Sequence, residues 1–138
     1  MRKNYPITAL LAFLCSASAA TTQGTLSSVL EVIDGDTVTV AAPYLPDPLP
    51  KVLLLRIAGV DTPELRSSDP NEREAARKAK DFVSETIKNG GYTVKIISWD
   101  KYARLLGDIT LRDGKLLSNT LIEKGLGVPY NGGRKTGF

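Results

Sequence analysis

The sequence contains no histidine. That removes imidazole bases, histidine nucleophiles and His-ligated zinc from the chemistry open to it. Cysteine is almost absent as well: Cys15 stands alone, so no disulfide can staple the chain to itself. A metal site would have to be built from oxygen, which suits calcium, magnesium or manganese. A large excess of one charge is also missing. The chain carries 18 Lys+Arg and 15 Asp+Glu, a formal charge of +3. Two of those bases and none of the acids fall in the first nineteen residues, which leaves sixteen against fifteen beyond them. Any basic footprint for nucleic acid must therefore be local. Carboxylates and arginines are left to carry the chemistry.

The N-terminus has three parts. Arg2 and Lys3 give a positive start, Ile7 to Cys15 an apolar run, and Ala17-Ser18-Ala19 a small-x-small cleavage site. This is the grammar of a secretory signal peptide. The run is shorter than the roughly 20 residues that cross a bilayer. Ala12-Phe13-Leu14 does not match the small-residue box that lipidation at Cys15 would require. We expect residues 1–19 to be cleaved and residues 20–138 to form one secreted or periplasmic domain, with no stable membrane association afterwards. An uncleaved interfacial anchor is the alternative.

Leu26 to Ile33 alternates loosely, Asp34-Gly35 is a hairpin turn signal, and Thr37 to Ala42 reads as the returning strand. Four prolines between Pro43 and Pro50 demand a loop. Val52 to Ala58 is a third strand, Tyr92 to Trp99 a fourth and Leu105 to Leu111 a fifth. Between the third and fourth, Asp69-Pro70 has the form of an N-cap with proline at the first helical position. Ala75, Ala79, Phe82, Val83 and Ile87 then recur at helical spacing until Asn89-Gly90-Gly91. Leu117, Leu121 and Ile122 mark a short second helix after the fifth strand, ending near Gly125. The expected fold is α+β and mainly β: a five-stranded OB-type barrel, one helix between strands 3 and 4, and a short helix after strand 5.

Asp34, Asp36 and Asp61 lie at strand ends, where the plain reading is ordinary turns. Arg56 changes the balance. Alternation puts it on the same strand face as Val52, Leu54 and Ala58. A guanidinium there needs carboxylates or phosphate beside it, unless it reaches solvent from an edge strand. Together these residues suit phosphodiester hydrolysis. Aspartates can hold a hard cation, a carboxylate can serve as base, and arginine's fork can bind phosphoryl oxygens.

Val32-Ile33-Asp34-Gly35-Asp36-Thr37-Val38, Arg56-Ile57-Ala58-Gly59-Val60-Asp61-Thr62-Pro63-Glu64 and Asp100-Lys101-Tyr102-Ala103-Arg104 resemble the three signature blocks of the staphylococcal nuclease family. They stand in the family's order, and the likeness runs from about Leu26 to Tyr130. It implies that Asp36 and Asp61 ligate calcium through carboxylates and Thr62 through its carbonyl. Asp34 would be an acid behind them, oriented toward water on the metal. Glu64 would activate or orient the attacking water, while Arg56 and Arg104 would grip the scissile phosphate. Lys101, Tyr102 and Tyr130 would border the nucleotide. The implied activity is that of an exported endonuclease cutting DNA and RNA, single-stranded or breathing regions first, to 3′-phosphate and 5′-hydroxyl ends. It would act as a monomer with no protein partner. The alternative is an OB-fold module that binds nucleic acid without cutting it. Three features depart from the family pattern. Ala103 replaces a usual glycine, the 43–50 loop is long, and the sequence stops at Phe138 without the family's C-terminal helix, as short bacterial members do.

Overall fold

The computed structural model describes residues 28–43 and 45–133. The expected signal peptide lies outside the described residues. Strand β1 (Val29–Val32) is joined to β2 (Thr37–Ala41), and β3 (Val52–Ile57) follows the proline-rich loop. After the two-residue β4 (Val60–Asp61) come helix α1 (Pro70–Lys88), β5 (Thr93–Trp99), β6 (Leu105–Thr110), helix α2 (Leu117–Glu123) and the short β7 (Val128–Pro129).

Helix α1 begins where its capping chemistry dictates. The Asp69 carboxylate accepts from the Asn71 N–H at 2.8 Å, Pro70 occupies the first turn, and Glu72 faces the positive end of the helix dipole. It ends at Asn89, and Gly90 and Gly91 turn the chain away with φ of +66° and +74°. Ala76, Ala79 and Val83 form its buried stripe. The sequence periodicity favours Ala75, but its neighbour Ala76 is the one that packs inside. The small side chains let the helix lie close to the sheet.

The strands run β1-β2-β3-β6-β5, as the OB arrangement requires. β3 and β6 are parallel, and α1 with β5 provides the long crossover that a parallel pair needs. Val38 of β2 faces Leu55 of β3, and both are fully buried with Val40, Ile57, Ile109, Leu117 and Leu121 in one core. The ring is not closed by a ladder, because β1 and β5 remain the ends of the sheet. A side chain bridges that seam instead: the Val29 N–H donates to the Tyr92 hydroxyl at 2.9 Å. Among the described residues no helix is long and apolar enough to cross a membrane.

Two details place the site. β4 pairs with β7, and the Tyr130 N–H donates to the Gly59 carbonyl, which lays the 127–130 segment against Asp61. A side chain at Gly127 would meet Asp61's carbonyl oxygen at 2.9 Å, so the close approach needs glycine. Gly35 acts in a similar way. Its φ is not positive, so turn geometry does not demand glycine there. A Cβ would stand 2.8 Å from Ala79 Cβ and from Thr62, and the residue is glycine because α1 and Thr62 press on the β1–β2 turn.

Candidate active site

The 33–36 turn and the β3–β4 connection meet at one end of the barrel, and two buried carboxylates meet there. Asp36 is 7% exposed and Asp61 2%. Arg56 lies between them on the outward face of β3, as alternation foretold, with Val52 and Leu54 exposed alongside. Its Nη1 is 2.9 Å from Asp36 Oδ2 and its Nη2 is 3.0 Å from Asp61 Oδ1. Nη1 also donates to the Ile57 carbonyl at 3.0 Å. Asp36 accepts further bonds from the Thr62 N–H at 2.8 Å and from the Thr37 hydroxyl at 3.2 Å. Asp34 takes the Asp36 N–H at 3.0 Å.

These contacts do not cancel the cost of burial for Asp36. Desolvation dominates and pushes its carboxyl up to about 6, with the negative charge of Asp34 adding to the rise. Arg56 and the Thr62 N–H pull the other way without prevailing. The arginine offsets the mutual repulsion of the acids, and removing it would leave two buried carboxylates without it.

The second arginine is held on the β5–β6 hairpin. Asp100 accepts from the N–H groups of Tyr102 and Arg104 at 2.8 and 2.9 Å, and from Arg104 Nε at 2.7 Å. Desolvation raises the Asp100 carboxyl, but the Arg104 and Tyr102 hydrogen bonds outweigh it and hold the group below its ordinary range. Ala103 sits at φ +59° in this turn, the left-handed conformation its family glycine implies. The strained alanine immediately precedes the arginine that Asp100 holds.

A cavity of about 680 Å³ opens between these parts, and Arg56, Lys101, Tyr102, Arg104 and Tyr130 all line it. Cations and rings alternate on its wall. The Arg56 guanidinium lies 5.9 Å from the Tyr130 ring centre, while Lys101 and Arg104 lie 5.1 and 5.5 Å from that of Tyr102. Three cations thus line the cavity, with Asp100 among them paired to Arg104. The tail beyond Tyr130 contributes as well: Gly133 lines the cavity, and its carbonyl takes the Tyr130 hydroxyl at 2.9 Å.

Five of the ten sequence-selected residues thus share one cavity, and Asp36 and Asp61 reach it through Arg56. Asp34 and Thr62 touch Asp36 from behind. Glu64 is exposed on the loop just after the buried Pro63, and its N–H donates to Glu72 Oε1 at 3.3 Å. Among the described residues no three acidic side chains gather as a ready metal cage. Even so, the donor set fits a hard cation: two buried carboxylates beside the Thr62 peptide offer oxygen and nothing softer.

Sequence reasoning assigned no role to Asp100, although it lies inside a signature block. Three donors two and four residues ahead of an acid at a strand end are its only trace.

Residues 54–136 match the family described as staphylococcal nuclease homologue. Arg56, Asp61, Thr62, Glu64, the 100–104 hairpin and Tyr130 fall within that range, while Asp34 and Asp36 precede it. The chain is also 30% identical over 107 residues to "Endonuclease YhcR" of Bacillus subtilis (strain 168), an alignment covering 72% of this chain and 8% of that much longer protein. With more than half of its length matched and the arginine–carboxylate geometry in place, the chain belongs to the staphylococcal nuclease homologue family.

Proposed function

We propose that this domain is an exported, calcium-dependent endonuclease that hydrolyses DNA and RNA to 3′-phosphate and 5′-hydroxyl ends. The observation that supports it most is the pair of arginines on one cavity wall, one of them joined to two buried carboxylates. A cavity that only held bases would need rings and diffuse positive charge. Buried aspartates locked to an arginine at its edge are costly, and they suit a site built for charge that develops in a reaction.

The roles follow from position. Tyr102 and Tyr130 offer ring faces to a base, and Lys101 adds a cation at the exposed rim. Arg56 and Arg104 present guanidinium donors to phosphoryl oxygens, which gather charge as the water oxygen bonds to phosphorus and the 5′-oxygen leaves with a proton. Asp36, Asp61 and the Thr62 carbonyl would hold calcium, which when bound supplies Lewis-acid stabilisation of the phosphoryl charge. Glu64 stands on a loop anchored by the buried Asp61-Thr62-Pro63 run and is the carboxylate we assign to orient and deprotonate water. The assignment to export rests on the charged, apolar and small-residue parts of the first nineteen residues.

The test is cleavage of end-labelled single-stranded DNA and RNA by the purified domain in millimolar calcium and then in chelator. We expect cleavage only with calcium, and products that accept phosphate at the 5′ end without prior treatment. Tight binding of the strand with no cleavage in either condition would replace the enzyme with a binding module.

A further inference from the structure

The loop that carries Glu64 is short, and helix α1 holds it by a set of bonds that sequence motifs do not mark. Glu72, on the first turn of α1, reaches back across eight residues. Its Oε1 accepts the Glu64 N–H at 3.3 Å, and its Oε2 accepts the Ser67 hydroxyl. That hydroxyl in turn accepts the Asp69 N–H at 3.1 Å, and the Ser67 N–H closes the turn on the Glu64 carbonyl at 3.1 Å. Next along the helix, Arg73 Nη1 donates to the carbonyls of Ser67 and Ser68 at 2.8 and 3.0 Å. Asp69 caps the same helix through Asn71. These bonds join the 64–69 segment to itself or to the start of α1, whose buried stripe is fixed to the core.

We infer that Glu72 is a positioning residue for Glu64: one carboxylate bonds the backbone of the catalytic candidate and the hydroxyl that braces its loop, so that α1 sets where the Glu64 side chain starts. This inference rests on the nuclease reading above. The physical need is plain. An exposed carboxylate on an unbraced loop samples many positions, and a misplacement of about 1 Å can cost roughly a hundredfold in rate. A brace from a helix end removes that freedom without touching substrate. Arg73 supports it from the carbonyl side of the loop, and so cannot replace it at the Glu64 N–H.

Glutamine can do the same work as Glu72. Its carbonyl can accept the Glu64 N–H, and its amide can donate to the Ser67 hydroxyl, which has a second lone pair available. Alanine can do neither. The experiment compares wild type with Glu72→Ala, Glu72→Gln and Glu64→Gln by two measurements. The first is amide hydrogen exchange at Glu64. In Glu72→Ala it should rise by about tenfold or more, with the exchange of core amides such as Leu55 unchanged. The second is steady-state cleavage of a short labelled DNA with calcium. In Glu72→Ala, kcat should fall roughly 10- to 100-fold with KM nearly unaltered, and Glu72→Gln should restore most of it. An unchanged Glu64 exchange rate, or an unchanged kcat in Glu72→Ala where Glu64→Gln is impaired, overturns the inference. So does a loss that follows global stability and that glutamine fails to rescue. If wild type and Glu64→Gln behave alike, the nuclease reading of Glu64 fails first and the positioning role falls with it.

Discussion

Asp36→Asn should stabilise the metal-free domain at neutral pH while weakening the calcium binding we propose for it. Burial raises the Asp36 carboxyl from 3.8 to about 6 in the fold. The native state therefore binds its proton more tightly than the unfolded chain does. Between those two values the folded form holds more protons, so the contribution of Asp36 to stability is fully present below about pH 4 and is lost as pH rises through about 6. At about 1.4 kcal/mol per unit, the loss approaches 3 kcal/mol by pH 7. Asparagine resembles the protonated acid. Its carbonyl can still accept from the Thr62 N–H and from Arg56, and it never ionises. The test is urea unfolding of both proteins in chelator from pH 4 to 7.5. Groups that do not interact with Asp36, such as Asp108, which burial also raises, contribute alike to both curves and cancel in the difference, whereas Asp34, whose charge acts on Asp36, changes with it. The variant should match wild type near pH 4 and exceed it by about 2–3 kcal/mol at pH 7. Parallel curves would refute the reasoning, because they would mean that Asp36 ionises in the fold as easily as in water.

Further outcomes follow from the same geometry. Ala103→Gly relieves a left-handed alanine and should raise stability by about 1 kcal/mol in denaturant unfolding, and a loss would show that the turn is not strained there. Gly35→Ala forces a Cβ to within 2.8 Å of Ala79 and Thr62 and should cost about 1–3 kcal/mol, read as a lower thermal midpoint. A neutral effect would mean that the turn can move away from α1. Calcium with a nucleoside bisphosphate should stabilise wild type by about 2.7 kcal/mol at a hundredfold excess over the dissociation constant, and a thermal melt that does not shift at millimolar ligand counts against the metal assignment. In Asp36→Asn that shift should shrink sharply.

Local chemistry was legible in the sequence and long-range contact was not. The Asp69-Pro70 start and the Asn89-Gly90-Gly91 end of α1 are capping signals contained within a few residues, and both ends fall where those signals stand. Alternation in β3 identified the face of Arg56 and its need for carboxylates or phosphate unless it reached solvent, and the fold supplies the carboxylates. The β4–β7 pair escaped, since two-residue strands have no period to detect and Val60 finds Pro129 only through the folded chain. Gly107 in β6 escaped for a similar reason: its missing side chain leaves room for the Lys95 carbonyl across the ladder. Asp34-Gly35 was read as a turn signal, and the turn is there, but packing against α1 explains its glycine. The site residues were named through the three sequence blocks. The gathering of five of them around one cavity, and the link from Arg56 to both aspartates, came from the fold.

The most direct test of the central claim is single-turnover cleavage of a short labelled DNA in calcium by wild type, Glu64→Gln and Arg104→Ala. We predict that Glu64→Gln keeps calcium and nucleotide binding while its rate drops roughly 10²- to 10⁴-fold, and that Arg104→Ala is also strongly impaired because its guanidinium acts on charge that grows in the transition state. Cleavage by both variants at the wild-type rate would contradict the account.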